Sequence, residues 1–311
     1  MTGPVLSWSE NPVLASEVAS AGAEVARHLG VDSYAVELDD VSSGLRSTGK
    51  VVLAKGDRTL ETDADAAAEA LVHVARSKAA SALIVGDTRF GTVVAGKAAC
   101  RLKAGSLGKG KRLWTQGEKL VIERDAYGGK FLATVAARMP CVAVVQEGAY
   151  QAGGSPTTEA ETVSVTAPPQ RVAVVETRQT QRHEAGIKSA STVVAAGRGF
   201  AKKDDLAIAE ALAKALGAAL GCSRPLSSDL GWMGEEAHIG LTGAYIRPKL
   251  YVALGISGQL QHVAGIKDSK VIVAVNRDAQ APIFQVADYG IVGDLYEVVP
   301  ALTKAVKDRQ A

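Results

Sequence analysis

The sequence predicts an α/β protein made of two doubly wound domains with mainly parallel sheets. Short apolar runs of strand length alternate with segments whose apolar residues recur at helical spacing. A helical segment follows most of the apolar runs, as crossovers between parallel strands require. The chain has 311 residues, which is enough for two separate cores because a domain typically holds about 100–200 residues.

The N-terminal half shows this alternation from its first helix onward. Residues 10–30 carry apolar residues at helical spacing and end in Gly30, a typical residue at a helix C-terminus. The later segments are, in order, strands at 33–38 and 51–54, a helix over 63–80, a strand at 82–86, a helix over 92–104 and apolar runs at 120–126 and 142–148. RVAVVET, residues 171–177, is predicted as one more strand that closes the first sheet.

A polar region separates the two halves. Residues 151–170, QAGGSPTTEAETVSVTAPPQ, are rich in Gly, Pro, Ser and Thr and predict an extended surface connection. A second polar stretch lies around 178–188. We therefore expect an N-terminal α/β domain over 1–182, which binds a partner and includes the connection, and a C-terminal domain over 183–311.

The C-terminal half repeats the pattern. Its predicted elements are a strand at 191–197, a helix over 204–220, a strand at 250–257, a helix from about 259, a strand at 271–276 and a final helix from about 295.

Composition excludes several functional classes. The formal net charge is +2, and the basic GKGKR at 108–112 is best interpreted as a solvated loop, so no nucleic-acid partner is expected. No apolar run approaches the roughly 20 residues that span a bilayer, and the first basic residue is Arg27, so we expect a cytoplasmic protein that is not embedded in a membrane. The three cysteines form no C-x-x-C motif, and the five histidines show no ligand spacing, so no metal is expected.

Three strand ends of the C-terminal domain carry glycine or polar residues. The segments at these ends are Gly197-Arg198-Gly199, Gly255-Ile256-Ser257-Gly258 and Asn276-Arg277-Asp278. Parallel strands place all three ends at one edge of the sheet, where doubly wound proteins bind ligands. Each signal alone is weak, since Gly197 and Gly199 do not complete a G-x-G-x-x-G motif. Together they favour a nucleotide.

The turn at 255–258 indicates how such a ligand is held. Ser257 and Gly258 stand where a helix is predicted to begin, so free N–H groups and the helix dipole can bind a pyrophosphate. Gln261 and His262 fall in the first turn of that helix. A tight strand-to-helix turn without a ligand is the alternative for the glycine pair taken alone.

Several segments resemble the α subunit of electron transfer flavoproteins. They are GRG at 197, SR at 223, TG at 242, LYVALGISGQLQHVAGIKDSKVIVAVNRD from 250 and APIFQVADYGIVGDL from 281. The similarity runs from about 192 to 305 and is looser in the N-terminal half. It implies a Rossmann-like FAD-binding C-terminal domain and a heterodimer with a β subunit.

The resemblance also implies roles for individual residues. Ser257 and Gly258 would hold the pyrophosphate, Arg224 would lie over the isoalloxazine ring, and Thr242 would lie near its N5 edge. The full set of expected FAD-binding residues is Arg198, Gly199, Ser223, Arg224, Thr242, Gly243, Gly255, Ser257, Gly258, Gln259, Gln261, His262, Asn276 and Asp294. Asn276 and Asp294 would face the ribose and adenine end, Arg198 the flavin-side phosphate or the ribityl region, and Gln261 and His262 the ribityl chain and the O2 edge.

One segment departs from the family pattern. Where the family usually has Q-V-G-Q-T-G, this chain has HIGLTG at 238–243, so His238 and Leu241 replace two glutamines. Leu241 cannot donate a side-chain hydrogen bond. Thr242 and the glycines keep flavin binding plausible, while the tuning of the flavin is expected to differ.

The resemblance implies an electron carrier rather than an enzyme that transforms a substrate. Electrons would pass one at a time from flavin dehydrogenases through FAD to a quinone oxidoreductase. Two alternatives stay open: the FAD-bearing subunit of an electron-bifurcating flavoprotein, and a redox-inactive nucleotide-binding scaffold. An enzyme with a nucleophilic Ser or Cys finds little support, because Cys222 lacks an activating motif and Ser257 lacks a G-x-S-x-G elbow.

Overall fold

The structure, a computed structural model, describes residues 2–40, 45–61, 63–129, 131–156, 160–172, 174–176 and 186–310. It divides into two compact units, Met1–Arg178 and Gln179–Ala311. The predicted boundary between residues 182 and 183 falls in 177–185, outside the described residues, and stays a prediction. Each unit contains a parallel sheet with helices, which confirms the predicted fold class.

The first unit contains a seven-stranded parallel sheet in the order β12-β4-β2-β1-β5-β10-β6. Its described strands are β1 (Val5–Trp8), β2 (Ser33–Leu38), β3 (Arg46–Ser47), β4 (Lys50–Gly56), β5 (Ala82–Gly86), β6 (Gly105–Gly110), β7 (Arg112–Gln116), β8 (Lys119–Ala126), β9 (Phe131–Arg138), β10 (Cys141–Val145), β11 (Ser155–Pro156) and β12 (Glu161–Val165). Strands β7, β8 and β9 form a separate antiparallel sheet, and β3 pairs with β11.

Three helices of the first unit follow the predicted segments: α1 (Pro12–Leu29), α2 (Ala64–Ser77) and α3 (Arg89–Leu102). The Asn11 side chain caps α1 by accepting hydrogen bonds from two backbone N–H groups, and Gly30 ends it in the left-handed conformation. Buried apolar residues of β1, β5 and β10, including Val5, Ile84 and Val142, form the core of this unit. The predicted helix termini therefore have their expected capping chemistry.

The edge of the first sheet corrects the sequence prediction. The described residues of 171–177 form no strand, and Val172, Val174 and Val175 are exposed. The edge strand is β12, which lies inside the predicted surface connection and pairs in parallel with β4. The GKGKR segment is also not a loop: residues 108–110 belong to β6, and Arg112 begins β7.

The second unit contains a five-stranded parallel sheet in the order β14-β13-β15-β16-β17. Its strands are β13 (Thr192–Ala196), β14 (Ala219–Cys222), β15 (Leu250–Leu254), β16 (Ile272–Asn276) and β17 (Tyr289–Val292), and its helices are α4 (Leu206–Leu216), α5 (Leu260–Ile266) and α6 (Leu295–Gln310). Numbered within this unit, the order is 2-1-3-4-5, one of the two common orders of doubly wound sheets.

The sequence prediction misses two strands of this unit. The predicted helix over 204–220 ends at Leu216, because Gly217 takes the left-handed conformation and the chain enters β14. Strand β17 forms the other edge of the sheet, and all four of its residues are exposed. Among the described residues, no helix combines the length and apolar character that crossing a bilayer requires.

Candidate functional site

The second unit contains a cavity of about 570 Å³ at the carboxyl ends of its strands. Strands β13, β15 and β16 are neighbours in the sheet, so the three predicted strand ends lie side by side. In a doubly wound sheet this is the switch point, where successive connections leave on opposite faces and open a crevice. The volume falls within the range of about 300–1,000 Å³ that is typical of ligand pockets.

Two glycines bring the β13 and β15 loops into contact. The Gly199 backbone N–H donates to the Gly255 carbonyl oxygen at 2.9 Å. A Cβ added to Gly255 would lie 2.8 Å from the Gly199 Cα, and Gly255 has a φ of +63°. Both positions therefore require glycine, and the close approach of the two backbones shapes the wall of the cavity.

The loop after β15 presents a run of free backbone donors. Among the described residues, no acceptor is bonded to the backbone N–H groups of residues 257–261, which comprise the end of the turn and the start of α5. The turn is fixed from the other side, because the Ile283 N–H donates to the Ser257 carbonyl oxygen at 3.0 Å. Consecutive free N–H groups at a helix start are suited to phosphate oxygens.

Charge in the cavity favours an anion. Arg198, Arg224 and Arg277 line it, whereas Asp294 is the one acidic residue among its lining residues in the described chain. Arg198 and Arg224 are exposed and form no ion pair or side-chain hydrogen bond with other described residues. Guanidinium groups without protein partners are available for a ligand phosphate or another negative group.

His262 carries an unsatisfied buried nitrogen. Its Nε2 atom lies 2.7 Å from the Tyr251 hydroxyl oxygen, while Nδ1 is buried and has no hydrogen-bond partner in the described part of the chain. The Ile239 carbonyl is near enough to favour a proton on the ring but forms no regular hydrogen bond with Nδ1. Burial lowers the pKa of His262 to about 4, so the ring is neutral at pH 7. The Tyr251 hydroxyl can donate to Nε2, which leaves the ring hydrogen on Nδ1.

The segment that departs from the family pattern forms one wall of the cavity. His238, Leu241 and Thr242 all line it. The Leu241 backbone N–H donates to the Gln261 carbonyl oxygen at 2.7 Å, which ties the segment to α5. The Leu241 side chain is exposed, so an apolar group occupies part of the wall where the family pattern has an amide.

Two predicted ligand contacts also have structural roles. The Asn276 amide donates to the Ile256 carbonyl oxygen at 2.9 Å, and its side-chain oxygen accepts from the Asp278 N–H at 3.0 Å. The Asp294 carboxylate accepts from the Tyr296 N–H at 2.8 Å at the start of α6. Each side chain still has bonding capacity toward the cavity, because an amide has a second hydrogen and a carboxylate a second oxygen.

The structure gathers twelve of the fourteen predicted residues around this cavity. They are Arg198, Gly199, Ser223, Arg224, Thr242, Gly255, Ser257, Gln259, Gln261, His262, Asn276 and Asp294. The other two, Gly243 and Gly258, are not among its lining residues. Both are close backbone contacts instead: a Cβ on Gly243 would meet His238, and a Cβ on Gly258 would meet the Ile283 backbone.

Other lining residues were not predicted as ligand contacts, notably His238, Arg277 and Tyr296. The Tyr296 hydroxyl donates to Asp205 at 2.7 Å and accepts from the Ala201 N–H at 2.8 Å, which fixes the loop after β13. A signal existed for His238, which lies in the unusual HIGLTG segment. Nothing local to Tyr296 distinguishes it from a surface aromatic residue on a helix.

Comparison with known proteins gives matches in both units. Residues 15–174 match the sequence model of the electron transfer flavoprotein domain, and residues 186–267 match that of the electron transfer flavoprotein FAD-binding domain. The chain is also similar to Protein FixB of Escherichia coli O157:H7 and of Shigella dysenteriae serotype 1 (strain Sd197). Each relative is 37% identical over 255 residues, which cover 80% of this chain and 80% of the relative.

Proposed function

Because the chain belongs to the electron transfer flavoprotein α-subunit family, we propose that it carries electrons singly from flavin dehydrogenases to a quinone-linked acceptor. Its cofactor is FAD, bound by the C-terminal unit. The cavity at the switch point of the second sheet is the observation that carries the proposal. Among the described residues, it brings backbone N–H groups that have no acceptor together with guanidinium groups that have no partner.

The diphosphate of FAD would be held mainly by the backbone. The free N–H groups of residues 257–261 supply donors, and the Ser257 hydroxyl adds another at the same loop. Gly199 and Gly255 let the two loops approach closely beside these donors, because a side chain on either would meet the other's backbone. Asp294, at the start of α6, is placed to accept from a ribose hydroxyl, and Asn276 holds the β15 and β16 loops together beside it.

The ring of FAD would meet side chains instead. Arg224, Thr242 and His262 line the cavity, together with Ser223 and Gln261. Bound FAD supplies the one-electron chemistry, and reduction adds negative charge to the ring. Arg224 stabilises that charge electrostatically, and the neutral His262 donates through Nδ1.

No group in the described residues is set up for nucleophilic catalysis in this cavity. Burial raises the pKa of Cys222, which precedes the cavity residue Ser223, to about 12. A thiol with such a pKa is not a nucleophile at pH 7. The residues of this chain therefore bind and tune the cofactor, which suits an electron carrier.

Members of this family pair with a β subunit, and we infer a heterodimer here. The test is to coexpress the chain with its β subunit and to count flavins per heterodimer by visible absorption. Anaerobic addition of a flavin dehydrogenase with its substrate should then reduce the bound flavin. Subsequent addition of a quinone-linked acceptor should reoxidise it.

The outcomes separate the proposal from its alternatives. One FAD per heterodimer that cycles between donor and acceptor supports it. Two flavins per heterodimer, with reduction by NADH, would favour the electron-bifurcating reading. A colourless heterodimer that does not take up added FAD would refute the proposal and favour a nucleotide-binding scaffold.

A further inference from the structure

We propose that His238 is a titrating residue of the flavin cavity, which gains a proton from solvent when bound FAD gains an electron from its donor. The inference rests on the proposed function, because it requires FAD in this cavity. No covalent bond of FAD forms or breaks in this step, and the charge added by the electron is offset by the charge added by the proton.

The position of the His238 ring is fixed by its surroundings. The residue is 4% exposed and lines the cavity. Its carbonyl oxygen accepts from the Ala244 N–H at 2.8 Å, and its backbone forms a parallel bridge with Cys222. A Cβ added to Gly243 would lie 2.8 Å from the ring Cγ atom, so the ring packs directly on that glycine. The ring is therefore held in the wall and does not extend into solvent.

The two ring nitrogens have different environments. The Nδ1 atom lies 3.9 Å from a carboxylate oxygen of Glu235, a distance at which a protonated ring gains an ion pair without a hydrogen bond. The Nε2 atom has no partner among the described residues. One nitrogen thus faces a balancing carboxylate, and the other can serve a ligand.

The groups around His238 together favour its neutral form. Burial is the main cause that lowers its pKa, Arg224 lowers it further, and Glu235 raises it. Its neighbours across the packed elements are the buried Cys222, the neutral His262 on α5 with Tyr251 behind it, and Glu236 beside Glu235. The buried ones among these described neighbours carry no charge at pH 7, so the charge balance at His238 depends on Arg224 and Glu235.

Reduction changes that balance. Negative charge in the cavity favours the protonated ring and raises the pKa of His238 from its lowered value. His238 thus has a lower pKa beside oxidised FAD and a higher pKa beside reduced FAD. At a pH between these two values, reduction is coupled to proton uptake, and the potential falls as the pH rises. One proton per electron makes each tenfold fall in proton activity worth about 59 mV.

The test is the pH dependence of the FAD midpoint potential in the heterodimer. The potential is measured from pH 5 to 8, and we expect it to fall with pH between the two pKa values of His238, with a contribution from His238 of up to about 59 mV per pH unit. In His238→Gln the slope should be smaller by that contribution. Glutamine has a similar size and a donor, but it cannot titrate, so a purely structural role of His238 would leave the slope unchanged.

Controls make the result decisive. His28→Gln removes an exposed histidine of the first unit and should keep the wild-type slope. His238→Asn replaces His238→Gln if the latter fails to fold, and it should lose the same part of the slope. A wild-type potential that is flat from pH 5 to 8 overturns the inference, and so do equal slopes in wild type and either variant. The visible flavin spectrum of each protein tests FAD binding separately, so failure of the proposed function is recognised independently.

Discussion

Gly255→Ala tests whether the close approach of two loops builds the FAD site. Gly255 has a φ of +63°, and its added Cβ would lie 2.8 Å from the Gly199 Cα and 3.0 Å from Leu295 Cδ2. Ordinary contacts begin near 3.4 Å, so the Gly199 backbone must retreat by roughly 0.6 Å. That retreat opens the wall in which Arg198 and Gly199 are placed.

The expected cost has two parts. Holding alanine in the left-handed region costs about 1–2 kcal/mol. Overpacking against the backbone costs about 1–3 kcal/mol more. We therefore expect Gly255→Ala to lower the free energy of unfolding by about 2–5 kcal/mol and to weaken FAD binding at least tenfold, or about 1.4 kcal/mol.

Gly217→Ala is a matched control. Gly217 has a φ of +60° at the end of α4, and a Cβ added there meets no heavy atom within 4 Å. It should lose only the conformational part, about 1–2 kcal/mol, and keep its FAD affinity. Urea unfolding measures the stability, and flavin fluorescence titration of the apo-heterodimer measures the affinity. If Gly255→Ala binds FAD as tightly as Gly217→Ala, the argument that these loops form the site is refuted.

Three further predictions concern charge and burial. Arg224→Ala should lower the FAD midpoint potential by on the order of 100 mV, because a charge-assisted contact contributes about 1.5–3 kcal/mol. Arg309→Ala removes a charge roughly 20 Å from the start of α6 and should leave the midpoint potential unchanged. If potentiometric titration gives the same potential for Arg224→Ala and Arg309→Ala, Arg224 lies away from the ring. Burial and neighbouring carboxylates raise the pKa of Glu61 to about 7, so its ionised form is less favourable in the folded state. Glu61→Gln should therefore stabilise the protein at pH 8, by under about 1 kcal/mol because the residue is exposed, and the gain should vanish as the pH falls from 7 toward 4.5; a gain independent of pH in urea melts would contradict this. Iodoacetamide should alkylate the exposed Cys100 and spare the buried Cys222 until denaturant is added, as peptide mass spectrometry can show.

The fold was predictable where local pattern and burial agree. Strands β2 and β5 have the predicted bounds because buried apolar residues fill them and turns flank them. The prediction failed at edge strands, where local pattern and side-chain burial no longer agree, and it also missed β1, a buried strand in the middle of the first sheet. Strand β12, ETVSV, is mostly polar and partly exposed, whereas the valine-rich 171–176 carries exposed residues and no strand in its described part. Pairing with a neighbour, not side-chain pattern, decides such edges.

The β14 strand failed for a different reason. Alanine and leucine favour helices, so GAAL after α4 continues the helical pattern in sequence. Gly217 nevertheless ends the helix, and pairing with β13 draws the next residues into the sheet. A single glycine thus outweighs the propensity of its neighbours, because the sheet supplies hydrogen bonds that an isolated helix end lacks.

The residues of the candidate site also differ in how far the sequence predicts them. The proposed phosphate-binding half depends on strand ends and glycines, features that a linear motif expresses, and the structure brings those residues together. His238 carried only the signal of its unusual HIGLTG segment and Tyr296 carried none, so both could be assigned to the cavity only from the structure.

The two halves of the site should respond differently to substitution. Under the proposed function, backbone N–H groups would contact a diphosphate whose charge is the same in oxidised and reduced FAD, so they would stabilise both states equally and affect affinity alone. Arg224 and His238 would meet the ring, where reduction adds charge, so their interaction energy differs between the two states and shifts the potential. Substitutions in the loop after β15 should therefore lower the FAD affinity without changing the midpoint potential. Substitutions in the wall formed by Arg224 and the HIGLTG segment should change the midpoint potential while FAD stays bound. The HIGLTG segment is also where this chain departs from its family's pattern.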